Sequence, residues 1–163
     1  MIMQLRIGIA RRMAPAFVAL IALVLTAGPV AAAEHYRSSG PLYSDAGFGD
    51  RYGTSYLDRY FGGDPVGPIK TTVRIVAHDL APYTRYQAMI AAGYCASEGY
   101  KLAGFTVTTG STGAVNRTVL MGASARRAIQ HAHDHGSPII VVVWDSAGDD
   151  SYCGKLGHPK YIP

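Results

Sequence analysis

Hydrophobic and polar residues alternate along the middle of the chain, and this alternation predicts β-strands that are buried on one face. Val73, Ile75 and Ala77 share one side of such a segment, with Arg74 on the other side. The strands predicted in this way cover residues 71–77, 102–109 and 115–121. A fourth segment, residues 139–144, is apolar at every position, which is typical of a strand buried on both faces.

Two segments have the features of helices. Pro82 is suited to the first turn of a helix, and Gly99 to its end, so a helix is predicted over residues 82–98. Ser124 is a natural N-cap for a second helix, predicted over residues 125–135.

The resulting element order, βαββαβ, predicts a ferredoxin-like α+β sandwich over residues 71–163. The short turn at residues 110–113 favours an antiparallel hairpin between the second and third predicted strands. The alternative is a small doubly wound α/β sheet, because the apolar last strand needs cover on both faces. In the sandwich that cover would come from the preceding segment, from the C-terminal tail, or from self-association with a second subunit through the sheet.

Residues 34–70 are rich in glycine and tyrosine and contain few aliphatic residues, so they are predicted to form an irregular arm or linker. Aromatic rings in such an arm offer contact area for sugars or peptides. The candidate contact residues are Tyr36, Tyr43, Tyr52, Tyr56, Tyr60 and Phe61.

The N-terminal residues 1–33 have the features of a cleaved signal peptide. Three arginines precede an apolar run over residues 16–25, and an A-x-A site at residues 31–33 follows it. The run is shorter than the ~20 residues that span a bilayer, so no stable membrane anchor is expected after cleavage. The mature chain is therefore predicted to be periplasmic or secreted.

Removal of this leader changes the charge of the protein. Three of the fifteen basic residues belong to the leader, which leaves twelve against eleven acidic residues. A nearly neutral mature chain lacks the basic footprint of nucleic-acid-binding proteins, so no nucleic acid partner is expected.

The two cysteines, Cys95 and Cys153, are predicted to form a disulfide, because an exported chain with an even count normally pairs its thiols. The bond is expected to hold the C-terminal tail over the first predicted helix.

Two clusters of polar residues are candidate ligand sites. His131 and His135 stand one helical turn apart and could share a divalent metal ion. The strand-to-helix turn is a candidate small-anion site because it combines backbone amides with two arginines. Its residues are Gly122, Ser124, Arg126 and Arg127.

No catalytic or cofactor motif is specific enough to name a reaction. The first hypothesis is therefore a non-catalytic binding domain of the cell envelope, with a glycan or a protein as its partner and no cofactor. A metal-binding or anion-binding protein is the second, and a small hydrolase built on Asp79 and Asp145 is the third.

Overall fold

Nine β-strands and one helix make up the regular structure of the residues described in this computed structural model, which are 33–44, 49–62, 67–97, 99–147 and 151–163. The strands are β1 (Glu34–Ser44), β2 (Arg51–Phe61), β3 (Pro68–Ala77), β4 (Arg85–Ala92), β5 (Tyr100–Thr108), β6 (Val115–Leu120), β7 (Ile139–Asp145), β8 (Ser151–Lys155) and β9 (Lys160–Ile162). The helix, α1, spans Ala123–Asp134 between β6 and β7.

Eight of the strands form a nearly closed antiparallel barrel. Their order is β5-β4-β7-β8-β1-β2-β3-β6, and β9 pairs with β1 outside this path. Both the ferredoxin-like sandwich and the doubly wound sheet are therefore wrong as predictions. The predicted strands at residues 71–77, 102–109, 115–121 and 139–144 are present as parts of β3, β5, β6 and β7, and the predicted second helix corresponds to α1.

The first predicted helix is the main reason for this error. Residues 85–92 form β4, which lies between β5 and β7 in the sheet. Tyr86, Ala88 and Ile90 are fully buried at alternate positions, the period of a strand. An apolar stretch of this length is compatible with the period of a helix and with that of a strand. Here the pairing with β7 along the whole of β4 selects the strand.

The arm predicted to be irregular is also ordered. Residues 34–44 and 51–61 form β1 and β2, which pair along their whole lengths. Ser38, Gly40 and Leu42 are buried at alternate positions of β1. The inward residues of β1 are therefore mostly small. Because they are only weakly hydrophobic, the alternation of hydrophobic and polar residues that indicates a strand is hard to recognise in the sequence.

The apolar strand β7 is covered on both faces, as predicted. Val141 and Val143 face the main core inside the barrel, where Leu42, Val73, Ile75 and Ile90 are also buried. On the other face, Ile140 belongs to a second, smaller cluster with Ala91 and Cys153, against which Met89, Cys95 and Val142 pack.

The predicted disulfide is confirmed, and it lies over this second cluster. Cys95 and Cys153 are joined with their Cα atoms 5.7 Å apart. Cys95 follows β4 and Cys153 lies in β8, so the bond joins a loop to a strand. The prediction that it holds the C-terminal tail over a helix is wrong. The loop supplies the cover for Ile140, and the fold needs no second subunit to provide it.

The predicted hairpin between β5 and β6 is wrong. The two strands are the edges of the sheet, and the turn between them packs on the connection from β3 to β4. The Leu80 amide donates to the Gly113 carbonyl at 3.1 Å, and the Tyr83 amide donates to the Gly110 carbonyl at 3.2 Å. The Thr109 hydroxyl adds a bond to the Ala81 carbonyl at 2.6 Å.

The predicted signal peptide falls on residues 1–32, which lie outside the described part of the chain, and on Ala33. Among the described residues, no helix has the length and hydrophobicity needed to span a membrane.

Candidate functional site: a tyrosine–cation face on the barrel

The outer face of β1, β2 and β3 carries alternating tyrosines and cations. Antiparallel register places Tyr56 beside Arg74, Asp58 beside Arg37, and Tyr60 between His35 and Lys70. We call this surface the tyrosine–cation face; it consists of His35, Arg37, Tyr56, Asp58, Tyr60, Lys70 and Arg74. Every second residue of a strand points outward, so the face is continuous across the three strands.

Tyr56 lies between two guanidinium groups. The Arg37 guanidinium carbon is 5.5 Å from the centre of its ring, and that of Arg74 is 5.9 Å away. Both distances are in the range of cation–π contacts. The Arg74 Nε also donates to Asn116 Oδ1 at 3.0 Å, which fixes the side chain along the sheet.

Tyr60 is held in the same manner by different partners. The His35 ring stacks on it, with centroids 4.3 Å apart and planes 10° from parallel. The Lys70 ammonium lies 5.1 Å from the centre of the Tyr60 ring. The two tyrosines are thus oriented by contacts within the face.

The carboxylate of Asp58 is buried beneath the face and contacts two of its residues, Arg37 and His35. Its residue is only 4% exposed, and it accepts bonds from Arg37 Nε at 2.7 Å and Nη2 at 3.2 Å. His35 Nε2 lies 2.8 Å from the same carboxylate. The hydrogen bond to Asp58 raises the pKa of Arg37, so this cation is locked in its charged form.

The face has a net positive charge. Asp58 is its only acidic residue, against the cations Arg37, Lys70 and Arg74, and Lys160 on β9 pairs with Arg37 at the margin. A half-exposed surface of tyrosine rings and cations is suited to a ligand that combines flat apolar faces with negative charge.

The predicted arm residues are divided between this face and other places. Tyr56 and Tyr60 lie on it, whereas Tyr52 packs against the barrel core and touches the Tyr152 ring. Tyr36 and Phe61 are in edge contact with each other, and Tyr43 pairs with Cys153 in the register.

The sequence pattern alone did not identify Asp58, Arg37, Arg74 or Lys70 as candidate functional residues. The period-two alternation of tyrosine and charge over residues 54–60 was the signal that could have identified the strand.

The histidines proposed as a metal pair do lie together. The rings of His131 and His135 are 4.0 Å apart, and both residues are exposed. His135 Nδ1 lies 2.8 Å from the His131 carbonyl, so that nitrogen is engaged with the helix end. No group of three metal-ligating side chains occurs within the described ranges, and the metal site remains a prediction.

The predicted anion-binding turn has a different cap from the one expected. Gly122 is the N-cap residue, without a capping side chain, and Ser124 is exposed inside the helix. Arg126 and Arg127 line a cleft of about 450 Å³ together with Asp134. A carboxylate in the same cleft offsets part of the positive charge, and anion binding here remains a prediction.

The carboxylates of the hydrolase hypothesis are not brought together. Asp79 follows β3 and Asp145 ends β7, and these strands are four steps apart in the order of eight, on opposite sides of the barrel. Asp79 is exposed and bonded to the neighbouring His78 at 2.6 Å.

His133 lies on the inward side of α1 and is partly buried. Burial lowers the pKa of its imidazole, and the nearby positive charge of Arg59 lowers it further. Asp134 opposes this shift, while His158 adds to it. The folded protein therefore favours neutral His133.

Acid is expected to destabilise the protein through His133. The unfolded chain binds a proton at the ordinary pKa of 6.5, above that of the folded state, so the free energy of unfolding falls as the pH drops below this value. At pH values above this pKa, the contribution of His133 to the free energy of unfolding no longer changes. Urea unfolding of wild type and His133→Asn at about pH 7.5 and about pH 5.5 measures this loss.

The exposed His135→Asn variant is the matched control. We expect His133→Asn to reduce the difference between the two pH values and His135→Asn to leave it unchanged. An equal pH dependence in all three proteins would contradict the assignment.

Comparisons of this chain with known protein families, with curated proteins and with solved structures find no match.

Proposed function

We propose that this chain is a non-catalytic binding domain of the cell envelope, and that it binds an anionic polysaccharide through the tyrosine–cation face. The proposal rests on the arrangement of the side chains in that face. Tyr56 and Tyr60 are each flanked by two cationic or imidazole groups, and all of these residues lie on three paired strands of the barrel.

The chemistry of the face matches the two parts of such a ligand. Tyrosine rings stack on the apolar faces of sugar rings, and guanidinium and ammonium groups pair with carboxylates along the polymer. Because Asp58 already holds Arg37, this side chain loses little conformational entropy on binding.

The compartment is consistent with this proposal. The disulfide between Cys95 and Cys153 is compatible with an oxidising, exported location, where envelope polysaccharides occur. The predicted signal peptide supports the same location.

Substitutions in the face are expected to weaken binding to an anionic polysaccharide. Arg74→Gln removes one cation and Tyr56→Leu removes one stacking ring, and each should lower the affinity roughly five- to tenfold, as for the loss of about 1 kcal/mol. Affinity electrophoresis in gels containing a carboxylated polysaccharide, with a neutral polysaccharide in parallel gels, measures the change. Residues 34–44 and 51–61 are barrel strands, so point variants are preferable to a truncation.

Two variants outside the face serve as matched controls. Arg85→Gln on β4 and Tyr100→Leu on β5 change exposed residues of the same types, and we expect both to bind as wild type. Equal retardation of wild type by the neutral polymer, or unchanged affinity in Arg74→Gln and Tyr56→Leu, would refute the proposal.

A further inference from the structure

A cavity opens at one end of the barrel, at the first residue of β7 and the last residue of β8. Its volume of about 650 Å³ is within the range of small-molecule sites. Ser38 and Leu57, which are paired in the register of β1 and β2, line it from the inside of the barrel. Because successive residues of a strand point to opposite faces, the cavity lies behind the tyrosine–cation face and is separate from it.

Two connections form the walls of this cavity. One joins α1 to β7, and the other joins β8 to β9. The Leu156 amide donates to the Ile139 carbonyl at 2.8 Å, and the Gly157 amide donates to the Ser39 carbonyl at 2.9 Å. The second connection is therefore tied to both β7 and β1, so the space that it encloses is part of the folded structure.

Ser38 brings a buried polar group to the cavity. Only 5% of the residue is exposed, and its hydroxyl has no hydrogen-bond partner in the part of the chain that the structure describes. The buried atoms that lack both a partner and accessible surface include Thr71 Oγ1 but not the Ser38 oxygen, so this hydroxyl reaches the cavity. Because buried hydroxyls normally form hydrogen bonds, a ligand with a polar group suits this position.

His133 adds an imidazole from α1. Its side chain is 39% exposed, whereas Nδ1 is enclosed and lies 3.6 Å from the Asp134 carboxylate. The exposed part therefore includes the opposite edge of the ring, which carries Nε2. Burial lowers the pKa of this imidazole, and the charge of Arg59 lowers it further, so the neutral ring offers Nε2 as a donor or an acceptor.

Apolar side chains make up much of the remaining lining. Leu57, Ile139 and Leu156 are buried members of the main core, and Pro138 and Pro159 lie in the two connections. A mainly apolar surface with a few polar groups is typical of a site for a small organic molecule.

The lining does not suit an ion. It contains no carboxylate, and Lys155 directs its ammonium elsewhere. Lys155 pairs with Ile140, which belongs to the cluster on the outer side of β7, and its ammonium lies 5.4 Å from the centre of the Tyr94 ring. An ion in the cavity would lose its hydration without gaining an opposite charge beside it.

We propose that this cavity binds a small uncharged molecule that combines an apolar ring with a hydroxyl group, of which phenol is the simplest example. The ring packs on the apolar lining, and the hydroxyl forms a hydrogen bond with Ser38. The His133 imidazole is the second polar group of the site. A hydroxyl both donates and accepts, which matches two groups with the same capacity.

The test is a titration of the purified protein with phenol, and with benzoate in a parallel sample, at constant ionic strength and about pH 7.5, where histidine is normally neutral. The amide signals of Ser38, Ser137 and Gly157 in 1H–15N NMR spectra report binding. We expect saturable shifts with phenol and about tenfold weaker binding of benzoate. Ser38→Ala loses one hydrogen bond to the ligand and should bind phenol about fivefold more weakly.

Ser38→Ala is expected to fold, because the hydroxyl it removes has no partner in the described part of the chain. Ser38→Val, which also fills part of the cavity, should weaken phenol binding further. Ser124→Ala is the matched control, since Ser124 is exposed on α1 and does not line the cavity, and it should bind as wild type. The absence of saturable shifts with phenol, equal affinity for phenol and benzoate, or equal phenol affinity in wild type and Ser38→Ala would overturn the proposal.

Discussion

Replacement of both Cys95 and Cys153 by alanine is expected to lower the free energy of unfolding by about 4 kcal/mol. The bond connects residues 58 positions apart, so it removes a large part of the conformational freedom of the unfolded chain. This is a large fraction of the stability of a domain of this size.

The loss has a local component as well as an entropic one. Cys153 is 3% exposed and packs with Ala91 and Ile140, and the loop that carries Cys95 covers this cluster. Once the bond is absent, the loop can leave the sheet and expose the outer side of β7. In the double variant we therefore expect amide hydrogen exchange to become faster than in wild type, and to do so more in β7 and β8 than in β2 and β3.

Urea unfolding of wild type and of the double variant, each with and without a reducing agent, measures the effect. Reductant should destabilise the wild type to the level of the variant and leave the variant unchanged. A difference below about 1 kcal/mol between the oxidised wild type and the variant would show that the bond contributes little.

The second large effect is expected for Gly113→Ala, which should lower the free energy of unfolding by roughly 3 kcal/mol. Gly113 has a φ of 70°, in the left-handed region, which costs alanine about 1 kcal/mol. A Cβ at this position would also overlap the Leu80 carbonyl. To relieve the overlap the two turns must separate, which weakens the Leu80–Gly113 and Tyr83–Gly110 bonds at about 1 kcal/mol each.

Gly136→Ala is a matched control for the conformational part. Gly136 has a φ of 67°, and no heavy atom lies within 4 Å of the position of an added Cβ. We expect this variant to lose only about 1 kcal/mol in urea unfolding. An equal loss in both variants would mean that contact between the two turns contributes nothing to stability.

Local patterns in the sequence identified much of the secondary structure but not the way in which it assembles. Residues 71–77 and 139–144 have clear strand patterns, and Ser124 indicated a helix start close to that of α1, although Gly122 is the N-cap residue. Residues 82–98 were misassigned because Tyr86, Met89 and Ile90 also fit a helical stripe. Their actual conformation depends on pairing with β7, about fifty residues further along the chain.

The candidate site was harder to predict than the fold. Tyr56 and Tyr60 attracted attention by residue type, but as parts of a loose arm. Their partners Arg37 and Arg74 lie on different strands, and only the register of β1, β2 and β3 places these groups side by side. The disulfide was predictable because two cysteines permit a single intramolecular pairing.

Pairing of β1 with β9 brings His35 next to Ile162, residues from opposite ends of the described chain. β1 comes first among the described strands and is nevertheless completed last, since its neighbour β9 is the last of them in the chain. The pairing of β1 can be completed only after β9 has been made, and the many contacts between distant residues place folding in the slow range for a chain of this length. During that interval the unfinished sheet stays exposed to proteases, and Cys95 and Cys153 stay accessible to oxidants.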